Sequence, residues 1–218
     1  MNKIAIYTSW FGNYDILRKP IYKDCDFFCF TDKPSGLYKN WKLINVNSEI
    51  DVVRTSRKYK FSPYLFLDYD YFIWQDACLV MKRDPNSLIS CLKEASLGIY
   101  LHAELNTLRE EVDLICALNK DDPKLVKKQF SIYEKEGLPE NVSLFETTIM
   151  VMKNNNLLRN FLEIWWAEIE NYSRRDQVSL PYLLWKHKMD CVPLKPGNIY
   201  HNPFFKHFRH RHETHIKF

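Results

Sequence analysis

The sequence has no apolar run close to the roughly 20 residues that a membrane-spanning helix needs, so no transmembrane segment is predicted. Its six cysteines include no C-x-x-C pair, which favours reduced thiols over a zinc site. The amino terminus lacks the small-residue cleavage site of a signal peptide and is typical of a first strand. These absences favour a cytoplasmic protein.

The sequence motifs of several enzyme classes are also absent. Only five glycines are present, and no G-x-G-x-x-G, Walker lysine loop, G-x-S-x-G or H-E-x-x-H occurs. The corresponding dinucleotide-binding, P-loop, serine hydrolase and zinc protease functions therefore lose their main support. What is present, 46% hydrophobic residues in a chain of 218, predicts a globular protein with one substantial core.

Positive charge is concentrated at the carboxyl terminus. Residues 195–218 hold five Lys or Arg and one Glu, and the other 26 basic residues balance 26 acidic ones. The same segment holds five of the seven histidines, which are His201, His207, His210, His212 and His215. We predict one domain over residues 1–194 and a basic, His-rich tail over 195–218. The tail is either solvated or binds anionic lipid headgroups, nucleotide phosphates or nucleic acid.

Strand and helix patterns alternate along the domain. Apolar runs bounded by turn formers predict strands over 3–8, 26–31, 41–46, 71–81, 97–102 and 145–152. Amphipathic spacing and capping residues predict helices over 51–60, 86–95, 105–118, 123–136, 157–171 and 176–188. For the helix over 123–136, Asp122 is the expected N-cap, and Gly137 lies just past the end. This alternation predicts an α/β sandwich with a mostly parallel central sheet.

Asp76 ends the most apolar strand region of the chain. Ligands of open α/β sheets bind beyond the carboxyl ends of the strands, which is where this acid is expected. With Asp68 and Asp70 nearby, it either binds Mg²⁺ or Mn²⁺, which prefer carboxylate oxygens, or it hydrogen-bonds backbone amides in a turn.

Two groups of cations have the chemistry of phosphate binding. Arg54, Arg57, Lys58 and Lys60 lie on one short helical stretch. Arg54, Arg57 and Lys60 recur every third residue, so they share one helix face that is either a pyrophosphate clamp or a solvated basic face. Arg175 precedes Asp176 at the start of the last predicted helix. Asp176 is either a simple N-cap or part of a site built around negative charge.

Glu146 lies early in an otherwise apolar predicted strand. It is either an outward-facing residue or a buried glutamate whose raised pKa would suit a general base. His102 ends another strand, and a single histidine there is more often structural than a ligand.

Seven segments in this order give the chain a resemblance to a known family. They are KIAIYTSWFGNYD, DFFCFTD, RTSRKYKFSPYLFLDYDYFIWQDACLVMKRDP, LHAELNTLREEVD, QFSIYEKEGLP, LFETTIMVMKNNN and WWAEIENYSRRDQVSL. Together they run from about residue 3 to residue 185. The chain resembles the TOD/MUCI-type glycosyltransferase-like domain, which implies a Rossmann-like GT-A fold that binds a nucleotide-sugar, usually with a divalent cation.

The resemblance also implies roles for particular residues. Asp76 stands where GT-A enzymes place the second acid of D-x-D, although Trp74-Gln75-Asp76 lacks the first acid. His201 would complete the coordination of Mn²⁺ or Mg²⁺. The residues implied for the donor are Tyr7, Thr8 and Asp32 near the nucleoside, Arg54 and Arg57 near the phosphates, and Arg175 and Gln177 facing the transferred sugar or the acceptor. Asp176 or Glu146 would deprotonate or position the acceptor hydroxyl.

We therefore expect a hexosyltransferase-like enzyme that uses a UDP-sugar and a glycan or lipid-linked acceptor in surface polysaccharide biosynthesis. It would be cytoplasmic, with peripheral contact of the basic tail with anionic membrane. The broken triplet leaves open a nucleotide-sugar-binding module without catalysis. Nucleic-acid binding through the tail ranks last, because the rest of the chain is charge-neutral and has no recognisable nucleic-acid motif.

Overall fold

The computed structural model describes residues 2–12, 15–49 and 51–208. The strands are β1 (Ile4–Trp10), β2 (Asp26–Thr31), β3 (Gly36–Tyr38), β4 (Trp41–Asn45), β5 (Tyr71–Gln75), β6 (Leu79–Met81), β7 (Leu97–Leu101), β8 (Phe145–Lys153), β9 (Cys191–Pro193) and β10 (Phe205–His207). The helices are α1 (Val52–Phe61), α2 (Asn86–Ser90), α3 (Leu108–Ala117), α4 (Pro123–Lys135), α5 (Asn156–Asn171) and α6 (Asp176–His187).

Eight strands form the central sheet in the order β3-β4-β2-β1-β5-β8-β7-β9. The pairs β1–β2, β1–β5, β2–β4 and β7–β9 are parallel, whereas β3–β4, β5–β8 and β7–β8 are antiparallel. The prediction of an α/β fold with a mostly parallel sheet is confirmed.

Alternating side chains of the central strands supply two cores, one on each face of the sheet. In β5, Phe72 and Trp74 pack on the side of α1 and α3–α6, and Ile73 packs on the opposite side with α2 and β6. Residues of β1 and β8 alternate in the same way. Strands buried on both faces read as continuous apolar runs, which is why the sequence revealed them.

Helix ends follow the capping residues in most cases. The Asp51 side chain accepts hydrogen bonds from the first turn of α1, and Thr107 with Glu110 forms a capping box at α3. Asp122 caps α4 as predicted. Asp176 does not cap α6, because Arg175 holds the cap position and Asp176 is the first helical residue.

The predicted strand over 71–81 is two strands, because the chain turns at Asp76, whose carbonyl accepts the Leu79 N–H at 2.9 Å. After the turn, β6 leaves the main sheet and pairs with β10. The short strands β3, β9 and β10 were not predicted. Within the described ranges no helix is both long and apolar enough to cross a membrane.

Candidate active site

Polar side chains from three strands meet at one edge of the sheet. Asp76 follows β5, His102 follows β7, and Glu146 is the second residue of β8. Because β8 is antiparallel to both β5 and β7, its amino end lies beside their carboxyl ends. This is the edge where open α/β sheets bind ligands.

Asp76 presents a partly exposed carboxylate at this edge. The Trp74 indole Nε1–H donates to Asp76 Oδ1 at 2.8 Å. The Asp76 backbone N–H donates to the Thr148 carbonyl at 3.0 Å, so the backbone is satisfied without the side chain. Among the described residues, Oδ2 makes no hydrogen bond. The carboxylate is therefore not tied to main-chain amides, which was the alternative reading of the sequence.

Asp176 is fully buried behind this edge and pairs with two cations. Lys60 Nζ lies 2.5 Å from Asp176 Oδ2 and also donates to the Thr147 carbonyl at 2.7 Å. Thr147 Oγ1 donates to the same Oδ2 at 2.9 Å, and Arg57 Nε lies 3.3 Å from Oδ1. These contacts connect α1, α6 and β8, so Asp176 links three elements that border the site.

This setting does not suit the base role predicted for Asp176. Burial on its own would raise the pKa of Asp176, but Arg57, Lys60 and Arg175 together hold it well below its usual range. A carboxylate that stays ionised this strongly is a poor proton acceptor at neutral pH. The fully buried side chain is also out of reach of a substrate.

Four arginines surround the starts of α1 and α6. Arg54 Nη2 donates to the Tyr172 carbonyl at 2.7 Å, and the Arg174 guanidinium lies between Asp51 at 3.4 Å and Asp121 at 3.6 Å. Buried nitrogens without a hydrogen bond remain at Arg54 Nη1 and Arg175 Nε. The Nε atoms of Arg57 and Arg174 also lack a hydrogen bond, but they face carboxylates at 3.3 and 3.6 Å. Unsatisfied donors of this kind are suited to an anionic ligand.

Glu146, His102 and Glu111 form a second, more acidic group. His102 Nε2 lies 3.3 Å from Glu146 Oε2 and 3.9 Å from Glu111 Oε2. Thr148 Oγ1 donates to Glu146 Oε1 at 2.9 Å. Burial raises the pKa of Glu146 to about 7. The Thr148 hydrogen bond lowers this pKa, and the negative charges of Glu111 and Asp76 raise it further. Glu146 is therefore a carboxyl group suited to accept a proton near neutral pH.

The raised pKa predicts that Glu146 destabilises the fold when it ionises. A glutamate in an unfolded chain has a pKa near 4.3, whereas that of Glu146 in the folded protein is about 7. The stability that comes from the neutral carboxyl group is fully present below about pH 4.3 and is lost as the pH rises through about 7. Glu146→Gln is expected to raise the free energy of unfolding at pH 8 by roughly 1–3 kcal/mol. Urea unfolding should show a much smaller gain at pH 4.5, and an equal gain at both pH values would contradict the assignment.

The residues implied for nucleoside binding have different surroundings. Tyr7 is fully buried, packs against Phe30 and Trp74, and donates its hydroxyl to the Lys60 carbonyl at 2.5 Å. It is a core residue, so the predicted contact with a nucleoside is not supported by its position. Thr8 is also buried, with an unpartnered Oγ1, and Asp32 is exposed just after β2.

Gln177 lies in the first turn of α6 and is nearly buried. Its Oε1 accepts from Arg175 Nη2 at 3.5 Å. Burial raises the pKa of Glu111 and of Glu146, and the positive charge of Arg175 opposes both shifts. The R-D-Q segment therefore adds the positive charge of Arg175 to the site, while its Asp176 is buried against Lys60 and Arg57.

The structure does not join the two predicted metal ligands. His201 lies in the loop before β10, where the neighbouring Phe204 carbonyl accepts the Lys82 N–H at 2.7 Å, and this is the opposite end of β6 from Asp76. In the part of the chain that the structure describes, no group of three or more His, Cys, Asp or Glu is arranged to hold a metal ion. Asp76 fits Mg²⁺ or Mn²⁺ only in the way these ions are held by one or two carboxylates, with substrate phosphates and waters as the other ligands.

The first part of the predicted tail packs on the domain. β10 pairs antiparallel with β6, Phe204 and Phe205 are buried, and the Phe208 N–H donates to the Cys78 carbonyl at 2.9 Å. Residues 209–218, with His210, His212 and His215, lie outside the described residues.

Two site residues were not identified as such from the sequence. Lys60 was placed on the face of Arg57 as part of a pyrophosphate clamp or a solvated basic face, not as the buried partner of Asp176. Glu111 looked like one more acid on a polar helix, but it is 3% exposed and faces His102. Its spacing with Leu108, Val112 and Ile115, which are also buried, was the available signal.

Comparison with known proteins gives a consistent picture. A family model described as the TOD1/MUCI70 glycosyltransferase-like domain matches residues 33–213. No curated protein matches the sequence. Among solved structures, the apo bifunctional glycosyltransferase WbbM superposes with a TM-score of 0.50 at 14% identity, over 89% of this chain and 39% of the WbbM chain. The chain thus spans about two fifths of the length of WbbM.

A second solved structure is that of the galactosyltransferase LgtC in complex with donor and acceptor sugar analogues. It matches with a TM-score of 0.46 at 13% identity, over 83% of this chain and 70% of the LgtC chain. At such low identities the likeness to WbbM concerns the fold alone, which is of the GT-A type.

Proposed function

Because this chain belongs to the TOD1/MUCI70 glycosyltransferase-like domain family, we propose that it is a glycosyltransferase that uses a nucleotide-sugar, with UDP-sugars first among the candidates. The observation that carries the proposal is the meeting, at one sheet edge, of the accessible acid Asp76, the arginines around α1 and α6, and Glu146 with a pKa of about 7. These are the groups that transfer from a diphosphate donor requires.

The arginines would bind and stabilise the diphosphate. Arg54 and Arg57 lie on α1, and Arg175 precedes α6. Arg54 Nη1 and Arg175 Nε are buried without a hydrogen bond, whereas Arg57 Nε lies 3.3 Å from Asp176 Oδ1 and contributes mainly its charge. Negative charge develops on the departing diphosphate as the bond to the sugar breaks. Donors that are already in place at this position act without reorganisation.

Asp76 would hold Mg²⁺ or Mn²⁺ through its free Oδ2, with the donor's phosphates as further ligands. The cation, when bound, neutralises charge on the diphosphate. The Trp74 indole that donates to Asp76 Oδ1 fixes the direction in which Oδ2 points. His201 lies in the loop before β10, near the end of β6 opposite to Asp76. It would reach a cation held by Asp76 only if this loop rearranged.

Glu146 would accept the proton of the attacking hydroxyl. In this step the acceptor oxygen bonds to the anomeric carbon, the carbon–oxygen bond to the diphosphate breaks with its electron pair leaving on the phosphate, and the hydroxyl proton moves to Glu146. Direct displacement of this kind inverts the anomeric configuration. We place the reaction in cytoplasmic assembly of a surface polysaccharide, with a glycan or lipid-linked acceptor and peripheral membrane contact through the basic residues 195–218.

The test is a panel of UDP-, GDP- and TDP-sugars with Mn²⁺ or Mg²⁺, followed by nucleotide release and by transfer to saccharide acceptors. We expect turnover of at least one donor, lost on chelation. Asp76→Asn keeps an acceptor for the Trp74 indole, so the fold should persist. Activity should fall by at least about 10–100-fold, because losing a group that only orients a metal ligand already costs that much. Full activity of Asp76→Asn would remove the cation from the proposal, and no release with any donor would contradict the transferase.

A nucleotide-sugar-binding module without catalysis is the second candidate. It is favoured by Trp74, which stands at the first position of the triplet, is buried, and donates its indole Nε1–H to Asp76 Oδ1 at 2.8 Å. No second acid is therefore available from this triplet. Such a module would give a thermal shift with UDP but no release of nucleotide from any donor.

A further inference from the structure

We propose that His102 is a positioning residue that holds Glu146 in place through the neutral tautomer with its proton on Nε2. The inference deepens the proposed function, on which it rests, because Glu146 is the proton acceptor there. In this role the His102 ring is neutral. The sequence favoured only a structural role for this histidine.

The backbone after β7 fixes which ring nitrogen carries the proton. The N–H groups of Glu104 and Leu105 both point at His102 Nδ1, at 3.2 and 2.9 Å. A nitrogen that accepts two hydrogen bonds carries no proton, so the neutral ring has its proton on Nε2. The loop that follows β7 thus sets the tautomer without a charged partner.

The other ring nitrogen lies between two carboxylates. Nε2 is 3.3 Å from Glu146 Oε2 and 3.9 Å from Glu111 Oε2, and the three side chains are only 4–13% exposed. A proton on Nε2 favours the orientation of Glu146 in which Oε2 faces the ring. Thr148 fixes Oε1 at 2.9 Å from the opposite side. With Oε1 hydrogen-bonded and Oε2 facing the ring nitrogen at 3.3 Å, Glu146 has one favoured orientation in which to meet a substrate hydroxyl.

Protonation of His102 would break this arrangement, since a charged ring would place a second proton against two N–H groups. Burial lowers the pKa of His102, while Glu104 and Glu110 oppose this shift and Lys120 adds to it. Glu146 faces Glu111 and Asp76, which raise its pKa, and Arg175, which lowers it. The ring therefore stays neutral where the glutamate begins to ionise.

Two substitutions test the functions of the two ring nitrogens separately. In His102→Asn, the amide oxygen can still accept the N–H groups of the loop, but no donor reaches Glu146. In His102→Gln, an N–H can reach the position of Nε2, but the acceptor for the loop is lost. A purely structural histidine would be replaced well by Asn, whereas a positioning histidine would be replaced better by Gln.

The first measurement uses the protein alone, with chelator present. Nitrogen-15 NMR of labelled histidine, assigned with His102→Gln, should show a neutral ring with the proton on Nε2 at pH 7. Carbon-13 NMR of labelled glutamate, assigned with Glu146→Gln, should give a titration midpoint for Glu146 near 7. In His102→Asn this midpoint should rise, because a donor to the ionised carboxylate has been removed.

The second measurement is the pH profile of kcat for UDP-glucose and UDP-galactose. His102→Asn should lower kcat by about tenfold, the usual cost of losing a partner that orients a functional side chain, and should shift the profile upwards with the Glu146 midpoint. His102→Gln should retain more activity. A proton on Nδ1, or an unchanged Glu146 midpoint and profile in His102→Asn, would overturn the positioning role. Absence of turnover in the unmodified protein would overturn the proposed function instead, and the NMR results distinguish the two.

Discussion

Lys60→Met is expected to lower the free energy of unfolding by about 3 kcal/mol, because it leaves the fully buried carboxylate of Asp176 without its closest cation. Removing one partner of a buried ion pair typically costs about 3–5 kcal/mol, and the lower end applies here because Arg57 remains 3.3 Å away. Chemical unfolding at pH 7 measures the effect, which should appear as a lower midpoint with an unchanged slope.

The matched control is Lys58→Met on the same helix. Lys58 pairs with Glu49 at 3.0 Å, but both side chains are about half exposed, so a loss under about 1 kcal/mol is expected. The stabilising effect of Asp176 is present above its unfolded pKa of about 3.9 and is lost as the pH falls toward its lower folded pKa. The deficit of Lys60→Met should therefore persist at neutral pH and shrink below about pH 4. Equal losses for Lys58 and Lys60 would show that this ion pair does not stabilise the fold.

Glu146→Gln is expected to reduce kcat by about 10²–10⁴-fold, the usual contribution of general base catalysis. The amide has the size of the carboxylate and can still accept from the Thr148 hydroxyl, but it cannot accept the proton of a substrate. The activity of the unmodified protein should rise as the pH passes about 7, where Glu146 ionises. The residual activity of the variant should lack this step.

Two controls separate chemistry from folding in this experiment. Glu140→Gln, an exposed residue in the loop before β8, should leave activity and its pH profile unchanged. Binding of UDP to Glu146→Gln should also be retained, since the arginines and Asp76 are untouched. A variant with near-normal kcat would assign the base to another group, with Glu111 next to His102 as the alternative.

Much of the fold was predictable because its signals are local. The central strands are buried on both faces and therefore appear as apolar runs. As predicted, Asp122 is the N-cap of α4, and Gly137, with a positive φ, lies just past its end. The short strands β3, β9 and β10 have three residues each. Such segments are too short to show a period, and their pairing depends on neighbours distant in the chain.

The candidate site was predictable only in part. Asp76 and Glu146 were identified because each is an acid in an otherwise apolar strand, where burial of a charge needs a reason. The role of Asp176 was not, since it depends on Lys60, 116 residues earlier in the sequence. Tyr7 was expected near the nucleoside, but its hydroxyl donates to the Lys60 carbonyl in the core. The sequence pattern around a strand tyrosine is the same in both situations, so the sequence could not distinguish them.

By itself the sequence determined the order of the long strands and the helices, the mostly parallel sheet and the edge at which acids and arginines collect. Only the tertiary structure decided which of those charges neutralise one another and which stay available, with Asp176 paired by Lys60 and Arg57, and Glu146 left among carboxylates with His102. The physical reason is that strand and helix preferences depend on near neighbours in the chain. The pKa of a buried carboxylate depends on desolvation and on charges a few ångströms away in space, which come from residues far apart in the sequence.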